Sequence, residues 1–548
     1  WVINNEAFST ELMNVLTRTY NALRPLDDTG RPISAQSGLH SIPWRERGPV
    51  ATDLYDQHNY VAWPLAIKAM DEYAERIRTI YGDIMKPLVV WEFLDLDYTY
   101  GPPRRLRPDQ TLTVEEWLQY IGTGHAAKYS SLIGMKAYMD SELGPGYAVE
   151  KYNKRFFEAL FQHQDFKGLA PWIRTPITEL QLQFYRPLVP MFEPLHQRHL
   201  LTGNQVTWSV RVPKKTDAPF RGTVDVNVYD PNGQLVWNTR VGVELGTGFV
   251  MSSSDVVWNV PEDMANGLYR VTLLLNGMLG GEPYTAENSY EITVSSHQEI
   301  VRPIRTDKRV AVWAERSPAK SAFDVRAVLD GWGVDYTVIT SVNELRNFDV
   351  LIVPPYRHEA AWIEAGGRSV DADVSTLAYG HASEADREPT VRSVYPELFT
   401  SAFEQWVRGG GRLLILPQEL SGELPVLSTY SIERNIGNSG FVDAVAAHHP
   451  IFDGMDREHW DMWYGHSGVV TSYRVTPAGT HIIGATGGKF TAILEARFGQ
   501  GSILVTTVDV KDRYLVDGAA TRYVQNLFSY VLEQEIDPNI AGFTKLFW

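Results

Sequence analysis

Glu6 and Glu92 have the residue type and setting for chemistry. Each closes a short apolar run, Trp1-Val-Ile-Asn-Asn-Glu6 and Pro87-Leu-Val-Val-Trp-Glu92. A run of this length suits a buried parallel strand, and a carboxylate at its C-terminal end sits in the loop layer where α/β barrels carry out reactions. Two carboxylates from different strands facing one pocket can divide the cleavage of a glycosidic bond. One protonates the leaving oxygen while the other attacks or stabilises the anomeric carbon. The stretch of chain between them leaves room for several βα units.

The elements that must position these groups are legible as alternating apolar runs and amphipathic stretches over residues 1–200. Glu11 to Leu23 reads as a helix, Pro32 to Ser37 as a strand end and Tyr60 to Ile80 as a helix. Pro87 to Phe93 reads as a strand and Phe166 to Ile173 as a strand end. Strand then helix, repeated, implies parallel pairing with right-handed crossovers. Residues 94–155, with Gly101-Pro-Pro-Arg-Arg and Gly144-Pro-Gly, exceed an ordinary βα loop and are expected to shape a pocket rim or meet a neighbour. The chain opens on Trp1 inside a strand-like run. The first half of the barrel is therefore expected elsewhere, in the same chain or in a partner subunit.

Around Gly203 the period changes. Val224, Val226 and Val228 alternate with Asp225 and Asn227, Asp230-Pro-Asn-Gly supplies a turn, and Gln234-Leu-Val-Trp resumes the strand. Asp255 to Val260, Tyr269 to Leu275 and Tyr290 to Val294 continue a sandwich of roughly a hundred residues. From Lys308 the alternation of strand and helix returns. Arg309 to Trp313, Tyr336 to Ile339 and Phe348 to Pro354 read as strands. Ala319 to Trp332 and Ala519 to Leu532 read as helices, and Phe403 to Val407 leads through Gly409-Gly-Gly into the apolar run Leu413 to Leu416, an open doubly wound α/β pattern over about 305–535. The expected domains are thus 1–200, 201–300 and 301–548.

Composition narrows the partners. A length of 548 residues predicts three or more domains, and 44% apolar residues with 16 Trp and 27 Tyr predict large cores. The formal charge of −16 argues against nucleic acid or an anionic membrane surface. No stretch approaches ~18 consecutive apolar residues, so nothing reads as a membrane span. Zero cysteine excludes disulfides, thiolate metal sites and cysteine nucleophiles, and leaves the compartment open.

Residues 1–200 resemble the second half of the (β/α)8 barrel of clan A retaining β-glycosidases, most like glycoside hydrolase family 2. Asn5-Glu6 is similar to the pair ending the clan's fourth barrel strand, and His58-Asn-Tyr60 to the His-x-Tyr of the sixth. Glu92 is similar to the nucleophile ending the seventh, and Gly168-Leu-Ala-Pro-Trp172 to the eighth-strand signature of family 2 galactosidases and relatives. The following sandwich resembles the immunoglobulin-like domain of family 2. Residues 301–548, with His449-Pro-Ile-Phe-Asp-Gly454 and Gly499-Gln-Gly501, resemble the glutamine-amidotransferase-like, or β-galactosidase trimerisation, domain. Lacking the amidotransferase cysteine, that domain is expected to be inert and to serve packing or oligomerisation.

The resemblance implies an exo-acting retaining β-glycosidase, β-galactosides being the first substrate class to consider. Glu6 would be acid/base, Glu92 nucleophile, and Asn5, His58, Tyr60 and Trp172 substrate-binding. It implies a carbohydrate substrate, no cofactor, no metal in the chemistry and a homo-oligomer. Elementary electrostatics agrees, since Glu6 would need a raised pKa from burial and from the charge of Glu92, itself ionised with Tyr60 as donor. Bland readings stand beside these. A strand-end Glu is often a salt-bridged or capping residue, His58 could be a satisfied core histidine and Trp172 core packing. Asp95, Asp97, His40 and Trp44 read as solvated loop residues, and Arg104-Arg105 as loop charge. His448-His449 reads as loop structure rather than a chelating pair, because adjacent residues in a strand point to opposite faces. Another class of function also fits: a carbohydrate-binding or scaffolding subunit whose barrel has lost activity. A third would place activity in the C-terminal domain, against which the absent cysteine counts.

Overall fold

The computed structural model describes residues 10–34, 52–59, 88–93, 154, 157–163, 166–169, 186–314, 323–355, 400–417, 423–427, 430–439, 442–444, 446, 448–455, 457–460, 463, 470–475, 480–486, 490–510 and 513–535. They form a multidomain mixed α/β protein with several β-sheets, mostly strands and few helices.

Near the N-terminus, helix α1 (Thr10–Leu23) is followed by a 3-10 turn (Arg24–Leu26) that carries Pro25. Proline fits there because the first turn of a helix has no use for its missing N–H. Three parallel strands come next, β1 (Tyr55–Asn59), β2 (Leu88–Phe93) and β3 (Phe166–Leu169), hydrogen-bonded in the order β1-β2-β3. Among the described residues this sheet has these three strands. Asp53 ties the entrance of β1 to what precedes it. Its backbone N–H donates to the Ile33 carbonyl at 2.9 Å, its Oδ2 accepts from Ile33 N at 2.9 Å, and its Oδ1 accepts the Tyr20 hydroxyl at 2.5 Å. Burial and then Asp53 push the Tyr20 hydroxyl up to about 12. Of the strand end expected at Pro32 to Ser37, Ser34 forms an isolated bridge and residues 35–37 lie outside the described set.

Two sheets follow, built from β4 (Met191–Phe192), β5 (His199–Leu201), β6 (Gln205–Pro213), β7 (Phe220–Tyr229), β8 (Leu235–Leu245), β9 (Met251–Asn259), β10 (Gly267–Leu279) and β11 (Glu282–Ser295). One sheet runs β5-β11-β10-β7-β8 and the other β4-β6-β9. Both contribute to a common core in which Val224, Val226 and Val228 of β7 meet Trp208 of β6 and Trp258 of β9. The alternation read from the sequence places these valines inside, each burial contributing about 1.5–3 kcal/mol. Leu188 already bridges to Lys214, β4 pairs with β6 and β5 pairs in parallel with β11. Segments of two and three residues are too short to carry a period, so only their pairing shows where they belong. Immediately before β3, residues 157–162 are helical and anchored to these sheets. Glu158 accepts from the Tyr290 hydroxyl at 2.8 Å and from Asn288 Nδ2 at 2.9 Å, Lys154 lies 3.3 Å from it, and Gln162 donates to the Phe192 carbonyl at 2.7 Å.

A four-residue helix α2 (His297–Ile300) leads to the third region. Its elements are β12 (Val310–Trp313), α3 (Val325–Trp332), β13 (Tyr336–Ile339), β14 (Val350–Val353), α4 (Ser401–Arg408), β15 (Arg412–Ile415), β16 (Glu423–Leu427), β17 (Tyr430–Ser439), β18 (Asp443–Ala444), β19 (Val470–Val475), β20 (Thr480–Thr486), β21 (Phe490–Phe498), β22 (Gly501–Thr506) and α5 (Gly518–Glu533). Five strands are parallel in the order β13-β12-β14-β15-β22, which by chain order is 2-1-3-4-5. Apolar side chains cover both faces. Val312, Leu414 and Leu504 pack with α5, and Ala311, Leu413 and Ile503 pack with Phe403 and Val407 of α4. Two expectations are corrected here. Helix α3 begins at Val325 rather than Ala319, because Asp324 is its N-cap and accepts from Arg326 N and Ala327 N. The sheet also continues past β22 through antiparallel strands from β16 to β21, a run interrupted by register shifts and absent from the sequence reading.

Candidate active site

Backbone register brings two of the six expected site residues together. Glu92 is the next-to-last residue of β2, His58 the next-to-last residue of β1, and they are Cα partners across the parallel ladder. Neighbouring strands run about 4.8 Å apart, so both residues stand side by side at the C-terminal end of one sheet. The pairing is reached through a shift between Gln57 and His58, where β2 gains a residue on β1. On the other side β3 pairs with Leu88 through Phe166, then shifts so that Gly168 stands against Val89 and Leu169 against Val90. Asn5, Glu6, Tyr60 and Trp172 lie outside the described residues, as do His40, Trp44, Asp95, Asp97, Arg104 and Arg105. Asp53, with Tyr20, occupies the opposite end of β1, the end where side chains of an α/β sheet serve stability.

The motifs singled out in the third region are used for packing. His449 caps the 3-10 turn Pro450–Phe452, its Nδ1 accepting from Ile451 N at 3.3 Å. Asn526 of α5 donates to the carbonyls of Ile451 at 3.2 Å and Asp453 at 2.8 Å. Gly454 has φ 65°, and a Cβ there would lie 2.5 Å from Arg522 Nη1. His448 is exposed whereas His449 is 6% exposed, so the two rings occupy different surroundings. Among the described residues no group of three or more His, Cys, Asp or Glu could hold a metal ion. No described helix is long and apolar enough to cross a membrane.

A polar cluster missed at the sequence level lies beneath α5. Tyr530 donates to Glu495 Oε2 at 2.7 Å, and His449 Nε2 lies 3.9 Å from the same oxygen. Arg412 stacks on the Tyr530 ring at 4.5 Å and donates through Nη1 to the carbonyls of Val531 at 2.9 Å and Gln534 at 2.8 Å. Burial pushes the Glu495 carboxyl up, but His449, Tyr530 and the charge of Arg412 outweigh it and hold the group below its usual range. Burial also raises the Tyr530 hydroxyl, reinforced by Glu495. A cation on the last carbonyls of a helix is a C-terminal clamp, so the arrangement is architectural. The signal available in the sequence was a charge inside each of two apolar runs, Gly411-Arg-Leu-Leu-Ile and Ala492-Ile-Leu-Glu-Ala.

No protein-family model matches the chain, and no curated protein matches it. Among solved structures, the sporulation control protein Spo0M from Bacillus subtilis is similar over 23% of this chain and 59% of its own, at 14% identity and a TM-score of 0.17. The C-terminal domain of wzt is similar over 20% of this chain and 71% of its own, at 12% identity and a TM-score of 0.15. A family 123 glycoside hydrolase from Clostridium perfringens is similar over 30% of this chain and 38% of its own, at 9% identity and a TM-score of 0.16. The chain thus spans less than two thirds of two of these three proteins, and likenesses this partial carry no argument about its function.

Proposed function

We propose that this chain carries one wall of the active site of a retaining exo-β-glycosidase, with β-galactosides as the first substrates to test. One observation carries the reading: His58 and Glu92 are register partners at the C-terminal ends of adjacent parallel strands. Support also comes from the consecutive order β1-β2-β3, as in the closing strands of a (β/α)8 barrel, and from the two-sheet region placed next in the chain. In this reading residues 1–200 include the second half of that barrel, the sandwich is immunoglobulin-like, and the last region is a non-catalytic glutamine-amidotransferase-like domain that supports an oligomer.

The reaction would proceed by double displacement. Glu92 is ionised and attacks the anomeric carbon while Glu6 protonates the departing oxygen, and the two carboxyl groups stand ~5 to 5.5 Å apart. Tyr60 donates to Glu92, Asn5 to the sugar 2-hydroxyl, and Trp172 offers an apolar face to the ring. His58, beside Glu92, contacts substrate. Glu6 then deprotonates the water that releases the sugar.

Glu92→Ala and Glu6→Ala are each expected to lower kcat by orders of magnitude on a nitrophenyl β-galactoside. Azide should give the Glu92 variant a glycosyl azide of inverted configuration and the Glu6 variant one of retained configuration. A fluorinated glycoside should label Glu92, read by peptide mass. Normal turnover by both variants across a panel of nitrophenyl glycosides sinks the proposal. Sugar binding without turnover or labelling would favour the scaffolding alternative.

A further inference from the structure

Three Asn-Gly pairs occur in the chain, Asn232-Gly233, Asn266-Gly267 and Asn276-Gly277. Such a pair is prone to a side reaction because glycine leaves its amide nitrogen open to the preceding side-chain amide and lets the backbone turn freely. The three environments differ. Asn276 and Gly277 lie within β10, paired with β7 on one side and β11 on the other. Gly277 faces Gly222 so closely that a Cβ at Gly277 would lie 2.4 Å from the Arg221 carbonyl oxygen. No rotation there is possible without breaking the sheet.

Asn266 is exposed but held at both ends of its amide. Its Oδ1 accepts from Ser296 N and its Nδ2 donates to Glu299. Asn232 is exposed, as are its neighbours Pro231, Gly233 and Gln234, and it sits in the turn between β7 and β8. Gly233 has φ 81°. The side chain of Asn232 has one long contact, Nδ2 to Asp230 Oδ2 at 3.4 Å. What orders this turn is Asp230, whose Oδ1 accepts from Asn232 N at 2.9 Å and from Gln234 N at 2.7 Å, while its carbonyl accepts from Gly233 N at 2.9 Å. A surface hairpin turn opens at low cost compared with a central strand.

We propose that Asn232 is a site of spontaneous deamidation and isoaspartate formation, controlled by the Asp230 turn. When the bond from Gly233 N to the Asp230 carbonyl opens, the deprotonated Gly233 nitrogen attacks Asn232 Cγ. The N–Cγ bond forms, the Cγ–Nδ2 bond breaks and ammonia leaves, giving a cyclic imide. Water then opens the ring at either carbonyl, leaving an aspartyl or isoaspartyl residue at position 232. No oxidant or reductant takes part, and the turn gains a negative charge in either product.

The protein is incubated at mildly alkaline pH and mapped by peptide mass, with enzymatic methylation of isoaspartate as a second readout. The peptide holding Asn232 should gain the mass of an amide-to-acid exchange and accept methyl groups, while those holding Asn266 and Asn276 stay unchanged. Asn232→Gln should abolish the signal, and Asp230→Ala should accelerate it several-fold by freeing the turn. No change at Asn232, reaction first at Asn266 or Asn276, or an Asp230→Ala rate equal to the parent would each overturn the inference.

Discussion

At the scale of single residues, the decisive contrast is between ionisable residues that stand at strand ends and ionisable residues that are buried inside strands. His58 and Glu92 belong to the first kind and Glu495 to the second, 2% exposed with Tyr530, His449 and Arg412 around it. Replacing a buried charge that others have been arranged to meet leaves its partners unmatched, a loss of about 3 kcal/mol at the lower end for a broken buried pair. Glu495→Gln keeps the shape and removes the charge, so amides of α5 should exchange faster in the variant by the equivalent of that loss. The pH dependence has a definite sign. The folded carboxyl titrates below its unfolded value, so its stabilisation is present above the usual carboxylate range, near ~4.3, and is lost as pH falls through the lower folded value. The gap between parent and variant exchange rates should be widest at neutral pH and close on acidification. A gap that persists at acid pH would show that the carboxylate charge is not what holds the helix.

At the scale of elements, the glycines of two turns explain a pattern that the sequence offered only as a resemblance. Gly499 and Gly501 flank the hairpin into β22, and that hairpin lies against the end of α4. A Cβ on Gly501 would sit 2.1 Å from the Val407 carbonyl oxygen and 2.2 Å from that of Gly411, and one on Gly499, where φ is 67°, would sit 2.6 Å from the Arg408 carbonyl oxygen. Backbone meets backbone here, with no flexible side chain to give way. Gly501→Ala should therefore cost about 3 kcal/mol or more, lowering the denaturant midpoint of the third region, whereas Gly410→Ala has space and should show only the cost of φ 115°. Equal effects of the two substitutions would mean that close approach is not the constraint. Strands with a clean period were readable in advance: Val224 to Val228, Val310 to Trp313 and Leu413 to Ile415 are buried where expected. The antiparallel strands from β16 to β21 were not, since their register slips at Pro425 to Leu427 and at Glu433 to Asn438 and each slip interrupts the alternation. Of the candidate site, the apolar run before Glu92 made its strand legible. The pairing of Glu92 with His58 is a long-range register that no local pattern encodes.

At the scale of the whole molecule, α5 is held at both ends by other parts of the chain, which makes the sandwich and the third region mechanically continuous. At its start, a Cβ on Gly518 would lie 2.6 Å from the Leu200 carbonyl oxygen of β5. Gln197 donates to the Val516 carbonyl at 2.9 Å, and Asn204 donates to the Leu515 carbonyl at 2.8 Å. Leu515 is kept at φ 65°, a left-handed conformation that costs a non-glycine residue roughly 1–2 kcal/mol and is fixed here by Asn204 and by its own bond to Thr521 at 2.8 Å. At its end, Arg302 pairs with Glu533 at 2.9 Å and Thr306 donates to the Leu532 carbonyl at 2.7 Å. Two regions joined through such contacts should unfold together, because neither can open without exposing the other's buried surface. A β-branched side chain at position 518 would force the seam apart while leaving each core intact. Calorimetry of Gly518→Val should thus resolve two transitions for the sandwich and the third region where the parent shows one, and Gln197→Ala combined with Asn204→Ala should move in the same direction by a smaller amount. If the parent already unfolds these regions in separate steps, or if Gly518→Val shifts a single transition without splitting it, the seam does not couple them.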